Sequence, residues 1–471
     1  MKKNFFIIWF CIVRLVFSTT TYEQVGEYSN GLINVSIGKK QNDFIYGDKW
    51  GYIDISGKIV IPLVYQYAYP FEKDGFAIVK KDNKFGVIDK RNNIYIGLNY
   101  EDIYYLDGNR FVVKLNDKYG LVDINNKIII PIKYEEYLGE INEFLCFKYK
   151  EKIGLLNFSG DTIVPFKYDN LYEDKGSWLN FNSNTIAIKN ANKYGFIDLK
   201  TGREVTQFIY DDVWKFSEGL APVLKNGKWG FIDESGEEKI SFSYDYVGSF
   251  NNGLAAVLQN KKWGFIDKRG KIKIDFKYDE AHKFQENFCA VKTNGKWGFI
   301  DKNDNIIIES KYEEVTNFYG GRSIIMLNGK YGIIDNKGKL LLKVIYDSIE
   351  ILNNDFYKLK KEGKFSIADF KGNLVLNEYF DNVFTASNNF ITVNNSLYKI
   401  FDSKGKLINL KSFFNIGGLT KDYNDGYILV LFDQKNEKKH VLSKFGFMDI
   451  NGNVNTVGLL KINNVMNYFE M

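Results

Sequence analysis

The sequence predicts an all-β chain made of tandem units of about 34 residues, each a three-stranded antiparallel meander, stacked into an open superhelical array. Three observations carry this expectation. An aromatic–glycine step recurs at Trp50, Phe85, Tyr119, Tyr194, Trp229, Trp263, Trp297 and Tyr331, with degenerate copies at Ile153, Phe365-Ser366 and Tyr398-Lys399 and a last copy at Phe445. Successive intervals are 35, 34, 34, 41, 35, 34, 34, 34, 34, 33 and 47 residues. The well-formed copies also share turn signatures at fixed offsets from the step. Finally, a chain of 471 residues with 17% aromatics, 41 Gly and only 5 Pro favours strands joined by tight turns.

Taken from the N-terminus, residues 1–18 carry Lys2 and Lys3, then an apolar run from Phe5 to Val13, and no acid. This is the layout of a signal peptide, with cleavage after Ser18 and with Arg14 as its one discordant residue. The apolar run is too short to anchor in a bilayer, and no later segment reaches membrane-spanning length. Residues 22–36, ending in SNGLINVS, read as the first strand of the first unit. Without the three cations of residues 1–18, the net charge of +5 falls to +2. The basic stripe that nucleic-acid binding requires is therefore missing.

The unit at 216–250, FSEGLAPVLKNGKWGFIDESGEEKISFSYDYVGSF, shows the internal logic. A first apolar strand, 220–225, meets Asn226-Gly227, the strongest two-residue hairpin signal, in which both residues need positive φ. A second strand, 228–233, contains the aromatic step. Asp233 to Gly236 then forms a type I turn with a bulge, and a third strand, 237–242, leads into the connector SYDYVGSF. Trp229 and Phe231 point to one side of the sheet and Ile232 to the other. Runs such as IVIP at 59–62 and IIIP at 128–131 are continuously apolar. A strand apolar on both faces needs cover on both, so each meander is expected to lie between its neighbours. In this reading the aromatic is a packing ring, since Trp, Tyr and Phe interchange at its position. The glycine permits close backbone approach, where a β-branched residue would not fit.

The interval breaks at 153–194 and again at 403–444, where a variant unit with projecting loops precedes Phe445. The array spans 19–452, and 453–471 form a C-terminal tail or cap. Twelve units exceed the roughly four to eight blades of a single propeller, although the seven markers from Tyr194 to Tyr398 leave one or two closed β-propellers as the alternative. Cys146 and Cys289 fall where other copies carry Ala, so they read as buried free thiols rather than a disulfide.

The marker KWGFID, the downstream D-x-x-G-K turn, the I-x-P run and the Tyr-Asp connector together resemble the WG-repeat (WG β-repeat) proteins of bacteria. The resemblance extends from Thr21 to Gly452, with departures at Ile153, Ser366 and Lys399 and in 171–185 and 403–440. It implies a non-enzymatic, often exported repeat protein that mediates binding.

Few residues suggest chemistry. The two histidines, His282 and His440, lack zinc-ligand spacing, and no phosphate-binding glycine loop opens a helix. Asp54, Asp89, Asp123, Asp198, Asp233, Asp267, Asp301 and Asp335 recur at one offset, but each sits alone in a turn. They read as acceptors for their own backbone rather than as calcium ligands. No catalytic residue, metal or cofactor is assigned. The candidate ligand-facing column lies fifteen residues before the marker: Tyr104, Leu138, Trp214, Gly248, His282, Thr316 and Glu350, with Tyr69 near it. Its free change of residue type suggests solvent exposure, which at Tyr104, Trp214 and His282 would suit a protein or glycan partner. The alternative is a loosely packed, half-buried connector. The structural markers are Trp50, Trp229, Trp263 and Trp297. The expected function is a non-catalytic scaffold at the periplasm or cell surface; the alternatives are a carbohydrate-active enzyme on a propeller and an intracellular adaptor in the cytoplasm.

Overall fold

The computed structural model describes residues 21–22, 24–41, 44–171, 184–352, 355–386, 389–394, 397–407, 427–437, 440–449 and 454–462. The leader expected at 1–18 lies outside them, as do most of 171–185 and half of the variant unit at 403–444. Among the described residues the chain is all β, without a helix, and forms twelve sheets of three or four strands. Among the described residues no sheet closes into a barrel. Two compact bodies divide the chain, one formed by Tyr100–Val383 and the other by the described residues before and after that segment.

In the first of these bodies, the unit around Trp229 pairs strand Leu220–Lys225 with Lys228–Asp233 and the latter with Glu238–Tyr244, all antiparallel. Asn226 and Gly227 take φ of 52° and 77°, the left-handed pair that the hairpin needs. Gly236, at φ 84°, closes the second turn through its N–H to the Asp233 carbonyl at 2.9 Å.

Most sheets add a fourth, short strand to the expected three, while some keep three. The connector contributes Asp212–Val213, which pairs with Leu224 and Val223 of the next strand. A further tight turn at Glu218-Gly219, also with positive φ, folds the connector back on the sheet. A two-residue strand carries no periodicity, so the sequence pattern does not reveal it.

The inner strands around Trp229 and Trp263 are covered on both faces. Trp229, Phe231, Ile240 and Tyr244 pack against Val247, Phe250, Ala255, Val257 and Ile266 of the following unit. Ile232, Ala221 and Val223 pack the other way, against Phe196 and Tyr210 of the preceding one. The next interface repeats the scheme, with Phe265, Ile274 and Tyr278 against Phe284, Cys289, Val291 and Ile300. A connector phenylalanine seals three successive junctions: Phe250, Phe284 and Phe318 lie 5.0, 5.0 and 4.6 Å from Phe231, Phe265 and Phe299.

Two-sided cover does not extend to the I-x-P runs. In Ile59–Tyr65 and Ile128–Tyr134 only Ile61, Tyr65, Ile130 and Tyr134 are buried, while Ile59, Val60 and Ile128 are exposed. These strands end the sheet order, and an edge strand has fewer neighbours to cover it.

The glycine after the marker behaves as expected. A Cβ built on Gly51, Gly86, Gly120, Gly230, Gly264 or Gly298 would stand 2.5–2.7 Å from a carbonyl oxygen of the adjacent strand. The register shifts there, for example between Trp229/Tyr244 and Phe231/Ile240. Ser366 takes this position in one unit, fully buried, and its hydroxyl donates to the Leu376 carbonyl at 2.7 Å. Opposite it only bridges remain, Phe365–Phe380 and Ala368–Leu374. The unit at Tyr194, with one extra residue, reaches a similar bridged state while keeping Gly195.

In the other body, Trp50, Tyr52, Ile61 and Tyr65 pack on Ala68, Phe71, Ala77, Val79 and Ile88 in the same manner. The opening segment is two strands, Gln24–Ser29 and Leu32–Gln41, rather than one. Thr21–Tyr22 leaves them and pairs in parallel with Leu459 and Leu460 of Val454–Ile462. A strand of the last sheet thus occupies part of the expected tail.

Candidate functional site

The column fifteen residues before the marker holds one structural position. Its backbone N–H donates to the residue seven before the marker: Trp214 to Pro222, Gly248 to Ala256, His282 to Ala290 and Thr316 to Ile324, at 2.7–2.9 Å. Tyr69 makes the same bond to Ile78, and Tyr104 pairs with Val112 in register. The position lies at the start of each sheet, where the connector meets the first long strand, so its side chain sits at the margin of the interlocking core, as Trp214 and Leu138 do.

Exposure along the column is mixed. Tyr104 is 42% exposed, and its hydroxyl donates to Asp102 at 2.7 Å. Trp214 and His282 are only half-buried, contrary to simple exposure, because each lies against its own marker ring. The Trp214 and Trp229 rings are 5.4 Å apart at 62°, and those of His282 and Trp297 are 4.5 Å apart at 45°. Trp229 and Trp297 are accordingly buried, at 5% and 8% exposure. Gly248 has no ring to offer, and Trp263 stays half-buried. Burial lowers the His282 pKa, opposed by a hydrogen bond between Nδ1 and Asn317 Oδ1 at 3.1 Å. This disfavours the imidazolium at neutral pH.

Trp214 and His282 stand two units apart with Gly248 between them. Tyr246 lies 5.5 Å from Trp214 and 5.9 Å from Trp263, and is 43% exposed. A run of rings thus crosses successive units: Trp214, Trp229, Tyr246 and Trp263. Tyr104 belongs to an earlier unit and instead contacts Tyr137 at 5.9 Å. The other body carries a comparable set, with Trp50 and Tyr67 at 5.3 Å and Tyr67 and Tyr69 at 4.8 Å. Sequence reasoning found Trp214 and His282 but missed Tyr246, because the pattern does not show which ring crosses a unit boundary.

The recurring acids have structural tasks. Asp233 Oδ1 accepts the backbone N–H groups of Ser235 and Glu237 at 2.9 and 3.0 Å, and Asp301 does the same for Asn303 and Asn305. Hydrogen bonds from Ser235 and Asn305 hold these carboxyls below the usual range.

A second row was legible but unread: before eight of the markers, a lysine pairs with an acid at the start of the next unit. The pairs are Lys152–Asp169, Lys228–Asp245 and Lys330–Asp347 at 2.5 Å, Lys262–Asp279 at 2.6 Å, Lys364–Asp381 at 3.4 Å, Lys296–Glu313 at 3.6 Å and Lys118–Glu135 at 3.8 Å, with Lys193–Asp211 also in contact. The same acids accept hairpin-tip N–H groups, as Asp211 does from Asn226 at 2.9 Å and Asp245 from Asn260 at 3.1 Å. The recurring spacing of seventeen between Lys and acid was the available signal.

Lysines hold Asp169, Asp211, Asp245, Asp279 and Asp347 below the usual carboxylate range. A depressed folded pKa contributes stability above the unfolded value of about 3.9, and that contribution is lost as pH falls through the folded one. The melting temperature is therefore expected to hold down to about pH 5 and to decline below about pH 4. An unchanged value from pH 6 to pH 3 would count against this account.

Among the described residues, no group of three or more His, Cys, Asp or Glu is placed to hold a metal ion. Cys146 and Cys289 are buried free thiols, and burial pushes the Cys146 thiol up to about 12. A shallow groove of about 550 Å³ lies beside Arg110, Phe144, Phe158 and Ile163. The Arg110 guanidinium there sits 3.6 Å over the Phe158 ring of the next unit, a clip repeated by Arg322 over Phe370 at 5.5 Å. No helix among the described residues is long and apolar enough to cross a membrane.

The family model for the WG containing repeat matches residues 50–85, 85–119, 119–152, 194–229, 229–263, 263–297, 297–331 and 331–365. No curated protein matches the chain. Among solved structures it is similar to a eukaryotic initiation factor, at 12% identity over 83% of this chain and 96% of that one, with a TM-score of 0.31. It is also similar to PorZ, a surface component of the type-IX secretion system of Porphyromonas gingivalis, at 11% identity over 92% and 67% of the two chains, with a TM-score of 0.20. A third similarity is to the extracellular domain of a one component system from B. thetaiotaomicron, at 8% identity over 94% and 78%, with a TM-score of 0.19.

Proposed function

Given that this chain belongs to the WG containing repeat family, we propose that it is a non-catalytic, exported scaffold. It binds a protein or glycan partner through the connector edge of its units, at the periplasm or cell surface. The observation that carries this reading is the contrast between two classes of position. Core positions keep their residue class and pack unit on unit, whereas the column of Tyr104, Trp214 and His282 varies freely and displays rings at the rim. Partly exposed aromatics beside polar groups are the residues that binding surfaces favour.

The absence of a catalytic role rests on how the recurring polar groups are employed. The turn aspartates accept backbone N–H groups, and the connector acids join lysines of the preceding unit. Export rests on the layout of residues 1–18.

The test is affinity capture from a cell-envelope extract with the full chain and with a Trp214→Ala/His282→Ala variant of unchanged fold. The double variant is expected to lose the captured partner by about 10-fold or more, roughly 1.4 kcal/mol. Equal capture would remove the column from the binding face. N-terminal sequencing of the envelope-associated chain is expected to start at Thr19, and a start at Met1 would remove export by cleavage.

A further inference from the structure

The column of cap residues is interrupted where the aromatic run is most accessible. Trp214 covers Trp229 and His282 covers Trp297, but the unit between them has Gly248 at the covering position and leaves Trp263 half-buried. A Cβ at Gly248 would meet only Ala256, its carbonyl oxygen at 3.6 Å and its own Cβ at 3.8 Å, both ordinary contacts. Nothing in the backbone therefore requires glycine there, and the flanking units carry a full ring at the same place. The place over the half-buried Trp263 indole therefore lacks the ring that the flanking units carry. Tyr246 stands beside it, and Trp214 and His282 occupy the adjoining steps of the column.

We propose that this place over Trp263 is a glycan subsite, which takes one pyranose ring of a polysaccharide stacked on the indole. The inference rests on the reading of the connector edge as the binding face and names the ligand class of that face. Two features select a sugar. A pyranose presents apolar C–H faces and a hydroxylated edge, so it needs an aromatic floor with polar groups around it. The floor is Trp263 and Tyr246. The polar groups follow from strand alternation, since two residues before each cap lie Asp212, the Tyr246 hydroxyl and Glu280. Glu280 is steadied by Lys292 at 2.6 Å, and Asp279 by Lys262 at 2.6 Å. Burial raises the Asp212 pKa, marking a carboxyl set partly into the surface rather than one held in bulk water. Asp212 already accepts the Val213 N–H at 2.8 Å, yet its carboxylate and that of Glu280 keep lone pairs that sugar hydroxyls can use and an aromatic side chain of a peptide cannot. Repetition of the units also suits a ligand that is itself a repeating chain.

The test uses the full chain in affinity gel electrophoresis with soluble β-glucan, xylan or mannan, followed by tryptophan-fluorescence titration with hexasaccharides of the polymer that retards it. Wild type is expected to be retarded by at least one polymer. Gly248→Trp supplies the ring that the neighbouring units carry; it is expected to weaken binding at least about 10-fold, roughly 1.4 kcal/mol. Gly248→Ala, which adds only a methyl group, is expected to stay within about threefold of wild type, under 1 kcal/mol. Melting curves matching wild type establish that both variants are folded. The inference is overturned if no polymer retards the wild type, if Gly248→Trp binds as well as wild type, or if Gly248→Ala loses as much as Gly248→Trp. Retention of a Trp- or Phe-bearing peptide with no polysaccharide binding also overturns it. If the envelope capture above still depends on Trp214 and His282 while every polymer fails, this inference falls and the scaffold reading stands; failure of both removes both.

Discussion

Gly298→Val is expected to destabilise the chain by at least about 3 kcal/mol, seen as a large fall in melting temperature. The cause is contact with main chain rather than a crowded side chain. A Cβ at Gly298 would lie 2.5 Å from the Ile308 carbonyl oxygen and 2.7 Å from the Ser310 nitrogen. A side chain can rotate away, but these atoms belong to the neighbouring strand and move only if the pairing of Trp297 with Tyr312 and Phe299 with Ile308 is lost. Gly295→Ala provides the internal comparison. Gly295 has φ of 75° and open space around a Cβ, so its cost is backbone strain alone, about 1 kcal/mol. Calorimetry of both variants decides the matter: equal losses, or a valine variant melting within about 2 °C of wild type, would mean that the glycine is not a close-approach residue.

Phe265→Ala should cost about 3–5 kcal/mol, the range for deleting a fully buried aromatic. Phe265 has no solvent exposure and joins Ala256, Ile274 and Tyr278 of its own unit to Cys289, Val291 and Ile300 of the next. Its ring meets the edge of Phe284 at 5.0 Å. Because that ring pair bridges two units, deleting both partners should cost less than the sum of the single losses. Tyr319→Ala, on a residue 44% exposed, should stay within about 0.5 kcal/mol. Urea titration of the single and double variants measures these differences. A loss below about 1 kcal/mol for Phe265→Ala would contradict the claim that units are held by rings shared across their boundaries.

The repeat, its turns and the place of its packing rings were legible because each is written locally. Asn226-Gly227 sets a hairpin from two residues, and Trp229, Phe231 and Ile232 divide between faces by strand alternation. The buried thiols and turn aspartates were legible for the same reason, once one copy could be laid on another. The fourth strand was not: Asp212–Val213 is too short for a period, and its pairing depends on the turn at Glu218-Gly219. The apolar runs at 59–62 and 128–131 misled because composition cannot distinguish an edge strand from a central one.

The candidate surface divides in the same way. That Tyr104, Trp214 and His282 share one position follows from the interval alone, but that Trp214 and His282 cover marker rings does not. Nor does the interval show that Tyr246 reaches both Trp214 and Trp263, or that Gly248 leaves Trp263 open.

By itself the sequence determined the unit, its length, its turns and the rings at its centre, since these depend on backbone preferences and alternation within a few residues. Only the tertiary structure decided which strand lies at an edge, which ring covers which marker across a sheet, and which indole is left without such a cover. Those outcomes depend on how consecutive units are placed against one another. That placement arises from side chains about 34 residues apart in the chain that meet only after each sheet has formed.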